Sequence, residues 1–118
     1  MACRMNENMV YATTQEGIWI SQDKGENWSA ISQNLKGLVI TLVQNPLNPN
    51  ELMSFSEELG LAKSTDLGVT WTPVSGAPDT IFYYMSYSPT EEGLVYGIDP
   101  DNRIYKSTDG GENWEQIY

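Results

Sequence analysis

The sequence predicts an all-β chain assembled from repeated four-stranded sheets, and three observations carry that prediction. The segment Ser21-Gln22-Asp23-Lys24-Gly25-Glu26-Asn27-Trp28 recurs as Ser64-Thr65-Asp66-Leu67-Gly68-Val69-Thr70-Trp71 and again as Ser107-Thr108-Asp109-Gly110-Gly111-Glu112-Asn113-Trp114. Ser21 to Ser64 and Ser64 to Ser107 are both 43 residues, so no insertion or deletion separates the three copies. Each copy is flanked by short apolar runs bounded by turn-forming residues, which is the pattern of strands. Four short antiparallel strands per ~40–45 residues is the signature of β-propeller blades, so the fold class is a partial β-propeller.

We name the strands of each blade A to D from the inner channel outward. Strand A is Leu38 to Val43 in the second repeat and Ile81 to Ser86 in the third. These are the most continuously apolar runs, which predicts burial on both faces. Asn45-Pro46 and Ser88-Pro89 then turn the chain. For strand B, a constant 43-residue offset places Met9-Val10-Tyr11-Ala12 on Leu52-Met53-Ser54-Phe55 and on Val95-Tyr96-Gly97-Ile98. Strand C is Gly17 to Ile20, Gly60 to Lys63 and Arg103 to Lys106. Strand D follows each motif at Trp28 to Ile31, Trp71 to Val74 and Trp114 to Ile117. Pro73 has no N–H to give a ladder, so strand D is expected at a sheet edge.

The boundaries that follow are residues 1–35 for an incomplete first blade with strands B to D, 36–78 for the second and 79–118 for the third. In the first repeat the matching strand A would precede Met1, or be replaced by residues around Met1 to Met5.

The recurring motif is Ser-x-Asp-x-Gly-x-x-Trp, between strands C and D. Ser and Asp side chains hold turns by bonding nearby backbone groups. Gly25, Gly68 and Gly111 are expected at positive φ, and Trp28, Trp71 and Trp114 are expected to bury a large ring that anchors the hairpin.

On these residues the chain resembles the Asp-box, or BNR-repeat, propellers found in sialidases, xyloglucan-degrading endoglucanases, sortilin-type receptors and a photosystem II assembly factor. The resemblance implies that the boxes, residues Ser21, Asp23, Gly25, Trp28, Ser64, Asp66, Gly68, Trp71, Ser107, Asp109, Gly111 and Trp114, are structural. It also implies that they lie on the face opposite the enzymes' active sites. It does not choose an activity, because one repeat serves enzymes, receptors and assembly factors.

Composition narrows the classes. The chain has 16 acidic and 6 basic residues, a net charge of -10, no histidine and one cysteine, Cys3. That balance repels nucleic-acid phosphates and anionic membrane surfaces, and the cations are scattered. Without histidine, Ser-His-Asp and Cys-His catalysis and the commonest zinc sites are excluded, so no metal or cofactor is expected. No apolar stretch is long enough for a signal peptide or a membrane span. The resemblance implies that sialidases use three arginines; two arginines, Arg4 and Arg103, cannot supply them. The assembly factor is expected to use a basic patch, which this sequence lacks.

Propeller ligands usually sit on the face formed by the B-C loops and the D-A connections. Here those segments are Thr13 to Glu16, Ser56 to Leu59, Asp99 to Asn102, Ser32 to Gly37 and Ser75 to Asp79, and they are markedly acidic. Glycoside hydrolysis needs two carboxylates across the scissile bond, for which Glu57, Asp99 and Asp101 are the candidates. The alternative is solvated loop charge. Glu58, Asp79 and Tyr87 are candidates for ligand contact, Tyr87 because it ends its strand and is expected to be the most exposed of the Phe82, Tyr83, Tyr84 and Tyr87 cluster. The loop Asp99-Pro100-Asp101-Asn102 could hold a cation weakly, though without the spacing of a dedicated calcium loop.

Two functions remain. One is a non-catalytic propeller module that binds a protein or glycan, or scaffolds. The other is a xyloglucanase-type glycoside hydrolase using two carboxylates of the loop face. At 43 residues per blade, 118 residues make about 2.7 blades, and propellers close with about four to eight. The expectation is a homodimer closing a ring of about six blades, or a piece of a longer propeller.

Overall fold

A computed structural model describes residues 8–31, 35 and 37–118. These form eleven strands in three antiparallel sheets, with no α-helix among the described residues. Sheet 1 contains β1 (Val10–Thr14), β2 (Gly17–Ser21) and β3 (Ser29–Ala30) in that order. Sheet 2 contains β4 (Val39–Gln44), β5 (Leu52–Ser56), β6 (Gly60–Ser64) and β7 (Thr72–Pro73). Sheet 3 repeats the pattern with β8 (Tyr84–Tyr87), β9 (Val95–Ile98), β10 (Ile104–Ser107) and β11 (Glu115–Gln116). The architecture is that of consecutive propeller blades. Pro73 sits on edge strand β7 opposite Ala62, where its missing N–H breaks no further ladder. The proposal that residues near Met1 to Met5 replace a strand, and most of the Ser32 to Gly37 connection, lie outside the described residues.

The ladders correct the sequence register by one residue. Val10 pairs with Ser21, just as Leu52 pairs with Ser64 and Val95 with Ser107. Val10, not Met9, is therefore the counterpart of Leu52, and Tyr11 is the counterpart of Met53 and Tyr96. The cause is the β1-β2 hairpin, where Thr14 pairs with Gly17, against Ser56 with Gly60 in sheet 2. That hairpin is one residue shorter and precedes Ser21, so the box-to-box spacing does not register the loss.

Two apolar layers hold the sheets together. Between sheets 1 and 2 lie Tyr11, Ile18 and Ile20 on one side and Val39, Leu52, Ala62 and Trp71 on the other. Between sheets 2 and 3, Met53, Leu61 and Val74 meet Phe82, Met85, Val95 and Tyr105. The Phe82 ring packs at 5.0 Å from Trp114 and 5.5 Å from Tyr105. Sheet 2 thus presents one set of side chains to sheet 1 and the alternate set to sheet 3, as the period of two requires.

Three burial expectations need correction. The inner strands β4 and β8 are not buried on both faces; β4 is mostly half-buried, and Tyr84 of β8 is exposed because no sheet follows sheet 3 among the described residues. The third inner strand begins at Tyr84 rather than Ile81, after an irregular entry in which Phe82 alone turns inward. Of the three box tryptophans, Trp71 is 3% exposed but Trp28 is 40% exposed, since sheet 1 has no preceding sheet among the described residues.

Candidate functional site

The B-C hairpin turns and the β7-β8 connection bring the predicted acidic residues to one end of the sheets. Glu16, Glu57, Glu58, Asp79 and Asp101 are exposed there. Asp99 is different, with no exposed surface. Its Oδ1 accepts from the backbone N–H groups of Asp101 at 3.0 Å and Arg103 at 2.9 Å. Its Oδ2 accepts from Thr80 Oγ1 at 3.0 Å and Arg103 Nε at 2.6 Å. An ionised carboxylate has about four lone-pair sites, and here four donors use them. Burial raises the Asp99 carboxyl, but the hydrogen bonds from Arg103, Thr80 and Asp101 outweigh it and hold the pKa below the ordinary carboxylate value. Asn102 adopts φ 65, and its N–H closes the turn onto the Asp99 carbonyl at 3.1 Å.

Every partner of the Asp99 carboxylate comes from the loops flanking β8, β9 and β10. It is a strut holding the β9-β10 hairpin to the entry of β8, so it has no lone pair left for an incoming proton donor or cation. The loop Asp99 to Asn102 therefore loses its main oxygen donor for a metal. Among the described residues no group of three or more His, Cys, Asp or Glu side chains could hold one. Asp101 instead reaches solvent and accepts from Arg103 Nη2 at 3.3 Å.

Tyr87 is a further correction. It is 7% exposed, packed in the layer between sheets 2 and 3, with its hydroxyl buried and lacking a hydrogen-bond partner. Burial, and then the Glu51 carboxylate, push its phenol above the ordinary range. Alternation in β8 explains the error: Met85 and Tyr87 point toward sheet 2, and Tyr84 points away.

At the opposite end stand the three boxes, which share one geometry. Ser21, Ser64 and Ser107 each donate to the Asp Oδ1 two residues on, at 2.8, 2.7 and 2.8 Å. The same Ser Oγ accepts the N–H of Gly25, Gly68 or Gly111 at 2.7, 2.8 and 2.9 Å. The Asp then accepts from the backbone of Asn27, Thr70 or Asn113, and again from its side chain. Each Trp Nε1 donates to the box glycine carbonyl, at 2.9, 3.0 and 2.8 Å. The Asn27 side chain, then its backbone and Ser21, lower Asp23 from 3.8 to about 2. For Asp109 the Asn113 backbone leads to the same value of about 2, and Asp66 moves the same way, led by Thr70.

Two parts of the box escaped sequence reasoning. Asn27, Thr70 and Asn113 complete the carboxylate's shell, and the signal was a hydrogen-bonding residue before each Trp. The turn also needs two successive positive-φ residues, Lys24 at 60 and Gly25 at 95, or Leu67 at 62 and Gly68 at 92. Only the third box, with Gly110-Gly111, has glycine at both places.

Sheet 1 has no strand inside β1 among the described residues. A groove of about 460 Å³ runs there, lined by Tyr11, Ala12, Thr13, Ile40, Thr41 and Leu42.

Comparison with known proteins agrees with this architecture. Over 82 residues, 64% of this chain and 10% of the relative, the chain is 39% identical to a probable oligoxyloglucan-reducing end-specific xyloglucanase of Neosartorya fischeri. It is 26% identical over 114 residues to the VPS10 domain-containing receptor SorCS3 of Homo sapiens, covering 91% of this chain and 9% of the receptor. The chain thus spans about a tenth of the length of these relatives. Among solved structures, the GH74 xyloglucanase of Xanthomonas campestris superposes with a TM-score of 0.79 at 16% identity, over 98% of this chain and 21% of the enzyme. YCF48 from Cyanidioschyzon merolae gives 0.72 at 17% identity, over 99% of this chain and 35% of that one. The family model for sortilin (neurotensin receptor 3) matches residues 16–118, and the chain belongs to the Sortilin-Vps10 family.

Proposed function

We propose that the chain is a non-catalytic propeller module that binds a glycan on its acidic loop face. The observation that carries this reading is the saturation of Asp99. A general acid or base must exchange a proton with the substrate, and the most buried carboxylate of the loop face is committed to Thr80, Asp101 and Arg103. The other described carboxylates of this face, on Glu16, Glu57, Glu58, Asp79 and Asp101, are exposed on four loops and suit hydrogen bonding to sugar hydroxyls. Isothermal titration with xyloglucan oligosaccharides tests the proposal. Binding that is lost in a Glu57→Gln, Asp101→Asn variant, with no new reducing ends after long incubation, is the expected result. Binding only to a basic peptide would overturn the glycan class.

The second reading, a xyloglucanase-type hydrolase, is favoured by the 39% identity to an oligoxyloglucan-reducing end-specific enzyme. In that case Glu57 and Asp101, rather than Asp99, are the pair to test. Release of reducing ends that vanishes in the same variant would establish it.

A further inference from the structure

The three B-C hairpins are closed in one way, and the third carries more than closure requires. Thr14 Oγ1 accepts the Glu16 N–H at 3.0 Å and Ser56 Oγ accepts the Leu59 N–H at 3.1 Å, so a single hydroxyl caps each of the first two turns. Asp99 caps the third by accepting the Asp101 N–H at 3.0 Å. The ladders also align Gly17, Gly60 and Arg103, because the residues that follow them, Ile18, Leu61 and Ile104, pair with Thr13, Phe55 and Ile98. Where two hairpins have glycine, the third has an arginine that the turn itself does not need.

Two carboxylates hold that arginine. The fully buried Asp99 takes Nε on Oδ2 at 2.6 Å, and Asp101 takes Nη2 on Oδ2 at 3.3 Å. A guanidinium carries five N–H donors in one plane, so Nη1 and one hydrogen of Nη2 stay free. The Arg103 side chain is 43% exposed and that of Asp101 78%, and Asp101 Oδ1 has no partner among the described residues. Fixed donors and a free acceptor thus stand side by side at the tip of the hairpin. Sheet 2 has a sheet on each side, and Glu57 and Glu58 at its own tip are exposed all the same, so a B-C tip stays open whatever packs on the sheet faces.

On the glycan reading of the loop face, on which this rests, we propose that Arg103 and Asp101 form the subsite that reads a vicinal diol of a neutral sugar ring. One of two adjacent hydroxyls accepts from Arg103 Nη, and its neighbour donates to Asp101 Oδ1. A ring with either hydroxyl missing loses the pair. The single positive charge of Arg103 is matched by the two carboxylates that hold it, so the subsite offers donors without net positive charge. Uronic and other acidic sugars are therefore refused, and 16 acidic against 6 basic residues in the chain strengthen that refusal. Asp99 is the positioning residue, since it fixes the guanidinium before the sugar arrives and so lowers the ordering cost of binding.

The test is titration calorimetry with a neutral xyloglucan oligosaccharide, either intact or with its ring diols cleaved by periodate and reduced by borohydride. The wild-type chain is expected to bind the intact sugar about tenfold or more tighter than the cleaved one, and to bind no oligogalacturonate. Arg103→Lys keeps the charge but loses the fork, and Asp101→Ala removes the acceptor. Each should weaken binding of the intact sugar about tenfold and leave the cleaved sugar unchanged, which erases the preference. Because Arg103 also holds Asp99, circular dichroism and the thermal midpoint check that its variant is folded; if it is not, Asp101→Ala decides alone, since the bonds to Asp99 from Asp101 and Thr80 come from a backbone N–H and another residue. Folded variants that keep the wild-type preference overturn the subsite, and so does tighter binding of oligogalacturonate than of the neutral sugar. If Glu57→Gln alone then removes binding, the glycan reading stands without this subsite, whereas a wild-type chain that binds neither form of the neutral sugar overturns both.

Discussion

The same tryptophan, in the same box, is expected to contribute very different stability at two positions, and the structure sets the difference. Trp28 and Trp71 both donate from Nε1 to their box glycine, at 2.9 and 3.0 Å, so their hydrogen bonds cancel in the comparison. Their burial does not cancel, being 40% against 3% exposed. A tryptophan of ~250 Å² therefore has roughly 90 Å² more covered at Trp71, worth about 2 kcal/mol at 25 cal/mol per Å². Trp71→Ala should cost about 3–5 kcal/mol, as deep aromatic truncations do, and Trp28→Ala about 2 kcal/mol less. Urea unfolding followed by circular dichroism, at a dilution where the chain is monomeric, measures both. Equal losses at the two positions would refute the reasoning, because they would mean that the hydrogen bond, not the neighbouring sheet, fixes the value of the ring.

Acid should act through the boxes. Asp23 and Asp109 have folded values of about 2 against an ordinary 3.8, a depression, so their stabilisation is complete above the unfolded value and is lost as pH falls toward the folded one. The thermal midpoint should accordingly stay level on this account down to about pH 4 and drop between there and pH 2, with Asp23→Asn removing part of the drop. In sheet 3, a Cβ at Gly97 would lie 2.9 Å from the Phe82 ring, so Gly97→Ala should destabilise by about 1–3 kcal/mol in urea titration. Lys24 sits exposed at φ 60 with its side chain uninvolved in the turn, so Lys24→Gly should stabilise by about 1 kcal/mol in the same assay.

The fold was legible because the box is a local structure. Ser, Asp, Gly and Trp within eight residues satisfy one another, and copies in phase announce the sheets between them. What the sequence concealed lay outside that local circuit. The one-residue shortening of the β1-β2 hairpin precedes Ser21, where no second box measures it, and the strand register followed the error until the ladder of Val10 with Ser21 corrected it. Tyr87 looked exposed because it ended an apolar run. Its burial depends on which face of β8 meets sheet 2, and that is set by the entry turn around Phe82. The candidate site was legible as an acidic face but not as chemistry. Glu57, Asp99 and Asp101 are the same kind of residue in sequence, and only the convergence of Thr80 and Arg103 on Asp99 separates a strut from a solvent-facing carboxylate.

That separation also bears on how the loop face and the side faces divide the molecule. The loop face is polar, and the one charge buried there among the described residues, Asp99, is internally satisfied, so a ligand there meets a surface fixed within single sheets. The open faces of sheets 1 and 3 are apolar, and their polar groups match those already paired inside the chain. Any sheet packed on those faces would therefore cover them without using Glu57, Glu58, Asp79 or Asp101, and ligand binding on the loops should survive Lys106→Glu or Glu26→Lys. If instead those two exchanges abolished binding in a folded monomer, the loop face could not be an independent site. The ligand would then have to reach onto the side face of sheet 3, where Tyr84 and Tyr96 are exposed.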